Sequence, residues 1–251
     1  MASTDTNTKP LGGAEPVPRD GYAQALAEAR ERTLALVAPI DSDDLDRVHS
    51  PLMSPLVWDL GHIAAFEDLW LCVRAGGIEP LRPDLMEVYD ASETPRAERG
   101  EIPYLRRDDA VEYMQQVRER ALDVLATADL SPGSDRLNAN GFVWDLLIQH
   151  EHQHNETMLQ TLRLAEPGVF DPRAVDGSRA DAGRAPHEAS TAGPEIVGGG
   201  ATEIGDRGVG FAYDNERPRH AVELGPFAID RTPTTNGEYA EFVADGGYRR
   251  R

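Results

Sequence analysis

Three of the chain's seven histidines fall within five residues, in the run 149–156 that reads Gln-His-Glu-His-Gln-His-Asn-Glu. On a helix, residues four apart share a face with Cβ atoms roughly 5–6 Å apart. His150 and His154 can therefore hold one metal ion together, while His152 points nearly the opposite way. Two imidazoles at i and i+4 are a familiar way to grip a first-row metal. Residues 150–154 also satisfy the His-Glu-x-x-His pattern of zinc peptidases, with Glu151 as general base. No recognisable downstream ligand follows, and the helical surroundings are wrong for that class. A third ligand from another helix is what the pair requires.

Four helical patterns before residue 166 could supply it. The first spans about Gly21–Val37, with Tyr22, Leu26, Leu34 and Leu36 among its apolar positions. The second has Ser54 as expected N-cap and Pro55 as first helical residue, and runs through Val57, Trp58, His62, Phe66 and Leu69 to Val73. Gly76-Gly77 stops it. The third opens near Asp108, an N-cap candidate, and repeats Val111, Met114, Val117, Leu122 and Leu125. The fourth runs from about Gly141 to Leu164 and ends at Pro167-Gly168. Four amphipathic helices of this length make a bundle, whose core is a usual place for a metal site. The 76–107 connection is long, and loops of that length in a compact domain are usually functional or disordered.

His62 lies on the same stripe as Trp58 and Phe66, one turn from each, and is the candidate third ligand. A lone histidine on an apolar stripe is usually a core residue, but the pair on the fourth helix shifts that balance. His49 in a loop, His187 in a linker and His220 in the strand-like region are weaker candidates. Three imidazoles without a thiolate suit Zn(II), Fe(II), Ni(II) or Cu(II), and spacing does not choose among them.

Composition narrows the remaining classes. The formal charge of −19 repels nucleic acid and anionic membrane. No apolar run approaches the roughly 20 residues of a membrane span. Cys72 is the single cysteine, so no intrachain disulfide forms and cytoplasm is the default compartment. Lys9 is the single lysine, which leaves arginine as the bidentate partner for carboxylate ligands. Residues 1–19 read as a disordered leader, 20–165 as the bundle, 166–194 as a linker rich in Ala, Gly, Pro, Arg and Asp, and 195–251 as a mixed α+β segment. That last segment has candidate strands at 221–224 and 227–230 and a short helix at 236–244. Alone it is marginal in size for an independent fold.

Several stretches, taken in order, resemble one family. They are residues 50–62 (Ser-Pro-Leu-Met-Ser-Pro-Leu-Val-Trp-Asp-Leu-Gly-His), 95–100 (Pro-Arg-Ala-Glu-Arg-Gly), 150–154 and 211–220 (Phe-Ala-Tyr-Asp-Asn-Glu-Arg-Pro-Arg-His). Residues 226–239 and 244–248 continue the match. The family is the sulfoxide synthases of ergothioneine biosynthesis, or hercynine oxygenases. It joins a DinB-like four-helix bundle to a domain resembling the formylglycine-generating enzyme, of C-type-lectin-like fold. The resemblance implies Fe(II) held by His62, His150 and His154, with γ-glutamylcysteine, hercynine and O₂ as small-molecule substrates. It implies that Gln153 touches the histidine-derived substrate and that Arg96 and Arg99 hold carboxylates of the thiol. Asp59, Glu67 and Glu151 are candidate acceptors for the remaining ring N–H groups.

Family members continue well past Tyr248, and their active-site tyrosine lies in that later part. The expectation is therefore a truncated, poorly active synthase with no catalytic tyrosine of its own, Tyr239 and Tyr248 being unsuited to that role. Oligomeric state is open. A sister sulfoxide synthase that takes free cysteine or a selenium donor, a DinB-like metal-dependent thiol transferase and a non-catalytic metal-binding remnant are the competing readings.

Overall fold

The computed structural model describes residues 17–175, 193–206, 208 and 211–250. The leader expected over 1–19 lies outside the described residues as far as residue 16, and so does the linker from 176 to 192. The described residues divide into two compact units. One holds 17–175 with 208, 211 and 212; the other holds 193–206 and 213–250.

The first unit is the four-helix bundle. Its long helices are α1 (Arg19–Val37), α3 (Leu56–Glu67), α4 (Arg107–Thr127) and α5 (Phe142–Leu164), with a one-turn α2 (Ser42–Asp46) between the first two. Helix α3 does not end at Glu67 but widens into a π-helical turn over Asp68–Ala75 before Gly76-Gly77 stops it. Two expected caps shift. Helix α3 starts at Leu56, because Pro55 keeps an extended ψ of 140° and takes the cap position itself. Ser54 makes no cap bond and instead accepts a hydrogen bond from Arg99 Nη1 at 3.0 Å. Asp108 sits inside the first turn of α4, one residue after its start, where its charge suits the helix N-terminus.

The apolar interior is split into two clusters along the helix axes. One gathers Leu36, Leu56, Trp58, Ile63, Tyr113 and Met158; the other gathers Tyr22, Leu26, Leu71, Leu125, Trp144 and Leu147. On every long helix the residues between the clusters include a charge withdrawn from solvent: Arg30 on α1, Glu67 on α3 and Glu151 on α5 are buried, and Arg118 on α4 is half-buried. The long 76–107 connection is ordered, with short 3₁₀ turns at Pro83–Leu85 and Arg96–Glu98. It packs Leu81, Leu85, Tyr89 and Leu105 against the first cluster. Past α5 a single turn, α6 (Pro172–Val175), follows Val169 and Phe170, which also pack there.

The second unit contains two short antiparallel pairs. Strand β1 (Glu195–Val197) pairs with β4 (Phe227–Ile229), and β2 (Gly200–Ile204) pairs with β3 (His220–Leu224). Both ladders keep one register, so together they form a ribbon interrupted where Gly198-Gly199 faces Gly225-Pro226. A Cβ on Gly199 would lie 2.6 Å from the Leu224 carbonyl oxygen, so only glycine lets the strands approach there. Helix α7 (Asn236–Ala244) is started by a capping box: Thr235 Oγ1 accepts from the Glu238 amide, and the Glu238 carboxylate accepts from the Thr235 amide. Among the described residues no helix is long and apolar enough to cross a membrane.

Candidate metal centre

His62 on α3 and His150 and His154 on α5 meet inside the bundle. One nitrogen from each lies within 4.8 Å of the other two. Their ring centroids are 5.1 Å (62–150), 4.7 Å (62–154) and 4.6 Å (150–154) apart, a near-equilateral triangle. The i, i+4 spacing on α5 sets two of the rings side by side, their planes tilted by 57°, and α3 packs its stripe against them to bring the third.

The hydrogen bonds fix which nitrogens face inward. His62 Nδ1 donates to the Tyr89 carbonyl oxygen at 2.7 Å, and since a carbonyl only accepts, Nδ1 carries the proton and Nε2 keeps its lone pair. His154 Nδ1 lies 2.8 Å from Asp59 Oδ1, which assigns the same tautomer. A carboxylate behind an imidazole both orients a metal ligand and raises its basicity. Aromatic rings hold the remaining faces. Trp58 stacks on His62 at 4.9 Å and 11°, and Phe66 stacks on His150 at 3.9 Å and 14°.

Burial favours the neutral form of His62 and of His150. It is the main cause lowering the His62 pKa to about 3, reinforced by His154, while the Tyr89 bond opposes it. His150 falls well below the ordinary histidine range, again by burial first and then by His154 and His62. Nitrogen lone pairs that converge repel one another unless a cation lies between them, so the donor set fits a divalent first-row metal. His150 Nδ1 is buried without a hydrogen-bond partner, an orphan that such a metal or a water would explain.

The other expected residues are placed less uniformly. Arg99 is buried: its Nε donates to Thr94 O at 2.9 Å, Nη1 to Ser54 Oγ and Nη2 to Ala91 O at 3.4 Å. Its guanidinium carbon lies 3.8 Å from the Trp58 ring centroid, so Arg99, Trp58 and His62 form one stack. Arg96 is exposed and donates to the Leu52 carbonyl at 3.3 Å. Gln153 is exposed on α5, and His152 is half-buried, away from the triad. Of the three candidate acceptors only Asp59 serves a ring nitrogen. Glu67 and Glu151 are bound instead to Arg30 and Arg118. That also removes Glu151 as a peptidase base, because both its oxygens are committed to arginines and Thr33.

Tyr89 was invisible in the sequence, since it acts through a main-chain carbonyl. The four inward charges left a readable trace. Each follows a buried apolar residue by four positions: Leu26 then Arg30, Ile63 then Glu67, Met114 then Arg118, Leu147 then Glu151. A charge that continues an apolar stripe points inward.

A bundle of this kind with a histidine triad across two helices defines the class, and the chain belongs to the DinB superfamily, whose sequence model matches residues 25–158, more than half of it. A second model, the sulfatase-modifying factor enzyme 1-like domain, matches residues 179–251. Beyond the family, the chain is similar to the hercynine oxygenase of Mycolicibacterium smegmatis, 44% identical over 237 residues, which is 92% of this chain and 52% of that protein. The hercynine oxygenases of Mycolicibacterium thermoresistibile (42% over 245 residues, 93% of this chain and 50% of that protein) and Mycobacterium tuberculosis (43% over 228 residues, 89% and 50%) are similar to the same extent. The chain spans about half the length of these curated relatives.

Proposed function

We propose that the chain is the metal-bearing part of a non-haem Fe(II), O₂-dependent sulfoxide synthase. It would join γ-glutamylcysteine to C2 of the imidazole of hercynine, in ergothioneine biosynthesis, in the cytoplasm. The observation that carries this reading is the convergence of three imidazoles, His62, His150 and His154, in a chain similar to three hercynine oxygenases. The balance of the reaction is simple. A C–S bond forms, the thiol and C2 hydrogens leave in water with one oxygen atom of O₂, and the other oxygen atom ends on sulfur.

His62, His150 and His154 would hold the iron. When bound, Fe(II) supplies the activation of O₂ and a positive centre that favours the thiolate form of the sulfur donor. Asp59 and Tyr89 O keep the imidazole planes turned so that their free nitrogens converge. Exposed Arg96 would take a carboxylate of the thiol. Arg99 stands behind it, and each of its terminal nitrogens has a second N–H for the same anion. Gln153, between the two α5 histidines, would meet the hercynine side.

The test is anaerobic Fe(II) loading of the chain, then γ-glutamylcysteine, hercynine and O₂, with mass spectrometry for the sulfoxide. His62→Ala and His154→Ala run alongside. Stoichiometric iron that both variants lose supports the metal assignment whether or not product forms. Iron held equally by the variants sinks it. Thiol transfer without O₂ would favour the transferase class instead.

A further inference from the structure

We infer that the four paired charges between the two apolar clusters, three of them buried and Arg118 half-buried, are a register device for the metal ligands. Arg30, Glu67, Arg118 and Glu151 act as positioning residues for His62, His150 and His154. The inference rests on reading the triad as a metal site.

Each long helix contributes one member, and the signs alternate so that the set is neutral. Arg30 Nη2 reaches Glu67 Oε2 at 2.6 Å, and its Nε reaches Glu151 Oε1 at 2.8 Å. Arg118 Nε reaches Glu67 Oε1 at 2.6 Å, and its Nη2 reaches Glu151 Oε2 at 3.1 Å. Each arginine thus bridges the same two glutamates from opposite sides. Thr33 Oγ1 adds a bond to Glu151 at 2.8 Å, and Arg30 Nη1 donates to the Met114 carbonyl at 2.8 Å. Glu67 and Glu151 are both only 2% exposed, so these bonds are shielded from water and directional.

The glutamates sit on the two helices that carry the ligands. Glu151 directly follows His150 and precedes His154 by three residues, and Glu67 follows His62 by five. Apolar side chains on their own allow helices to slide or rotate at small cost, whereas a paired charge in a core tolerates one register. Rotating α3 or sliding α5 would separate a fork from its carboxylate and strand a charge. The same motion would open the imidazole triangle. The π-helical turn begins immediately after Glu67, so the change of winding falls outside the segment from His62 to Glu67.

A neutral buried set contributes little net stability relative to apolar residues of similar volume. Stability and metal affinity should therefore separate. The test titrates Co(II) into the intact chain and follows visible absorption, with thermal melting in parallel. The fully apolar set (Arg30→Met, Glu67→Leu, Arg118→Met, Glu151→Leu) should melt within a few degrees of the parent but bind cobalt about 10–100-fold more weakly, with a shifted spectrum. Arg118→Lys keeps the charge but loses the fork, and decides the question if the fourfold variant does not fold. A several-fold weaker affinity and an altered spectrum are expected of it. Parent-like affinity and spectrum in a folded variant would overturn the inference. A parent chain that binds no cobalt would instead remove the metal reading on which it rests.

Discussion

The two units satisfy the same backbone chemistry in opposite ways. The bundle encloses two apolar clusters, a layer of paired charges and the imidazole triad, with Trp58, Leu60 and Trp144 fully buried. The strand unit has correct ladders and a well-made capping box, yet among its described residues no apolar side chain is buried. Ile196, Phe227, Ile229, Tyr239 and Tyr248 are all exposed. Two-stranded ribbons satisfy hydrogen bonds along one edge only and need a further layer to bury a face. Local signals thus suffice to make elements, but burial comes only when amphipathic faces meet. A position where anions are buried and three imidazoles converge needs the second condition as well as the first.

The largest test of this contrast is truncation of equivalent apolar groups. Leu60→Ala, at a position with no exposure, should cost about 2–5 kcal/mol. Phe227→Ala, at 44% exposure, should stay within about 0.5 kcal/mol. All three tryptophans (58, 70 and 144) lie in the bundle, so tryptophan fluorescence in urea reads the cost of Leu60→Ala, and amide hydrogen exchange along β1 and β4 reads that of Phe227→Ala. Equal costs at the two positions would mean that the strand unit is as well packed as the bundle.

The same contrast explains what was legible beforehand. The i, i+4 histidine pair and the stripe through Trp58, His62 and Phe66 are periodic, and periodicity survives into structure. So are the start of α7 at Asn236 and its end at Ala244, which follow from Thr235, Glu238 and the Gly246-Gly247 stop. What acts through the main chain carries no residue signature, as with the Tyr89 carbonyl behind His62. Strands β1 and β2 were also missed, because Glu195–Val197 and Gly200–Ile204 are short and broken by Gly198-Gly199, which hides the alternation. Ser54 misled in the other direction: its type suits a cap, but Arg99 folds back from 45 residues away and takes it.

The second test is pH. A histidine held at about 3 in the folded state but near 6.5 when unfolded binds its proton first in the unfolded chain. Stability therefore rises with pH between those values. It is fully present above about 6.5 and is lost as pH falls towards 3. For the metal-free chain, acidification from pH 7.5 to 5 should remove on the order of 2 kcal/mol of bundle stability through His62 alone. His62→Asn should flatten that slope in fluorescence-monitored urea unfolding. A slope identical in the variant would show that His62 is not the group responsible.

Next comes the carboxylate behind the ligand. Asp59→Asn keeps a group of the same shape at His154 but removes the charge. Cobalt or iron affinity should fall about 10–100-fold with little change in melting temperature. An equivalent neutralisation in the strand unit, Glu203→Gln, breaks the exposed pair with Arg219 and should leave metal affinity untouched. Equal affinities for Asp59→Asn and the parent would leave the Asp59–His154 bond as packing without influence on the metal.

The smallest effect is also the sharpest, because one substitution should change sign between the units. Gly61 precedes His62 on α3, and a Cβ there would lie 2.1 Å from Cζ of the Tyr89 ring. Alanine is intrinsically better than glycine inside a helix by about 0.8–1 kcal/mol, but the buried Tyr89 ring has no room to yield. Its hydroxyl accepts from the Leu105 amide at 2.9 Å while its carbonyl holds His62. Overpacking of this kind typically costs about 1–3 kcal/mol, so Gly61→Ala should be destabilising by about 1 kcal/mol net. It should also weaken metal binding by loosening the His62 ring. Gly237 on α7 meets nothing nearer than Thr235 Oγ1 at 3.8 Å. There the entropic advantage stands unopposed, and Gly237→Ala should stabilise α7 locally by about 0.4–1 kcal/mol. Amide hydrogen exchange along α3 and α7 reads both outcomes in one experiment. Stabilisation at both positions would mean that Tyr89 is free to move, and with it the carbonyl that orients His62.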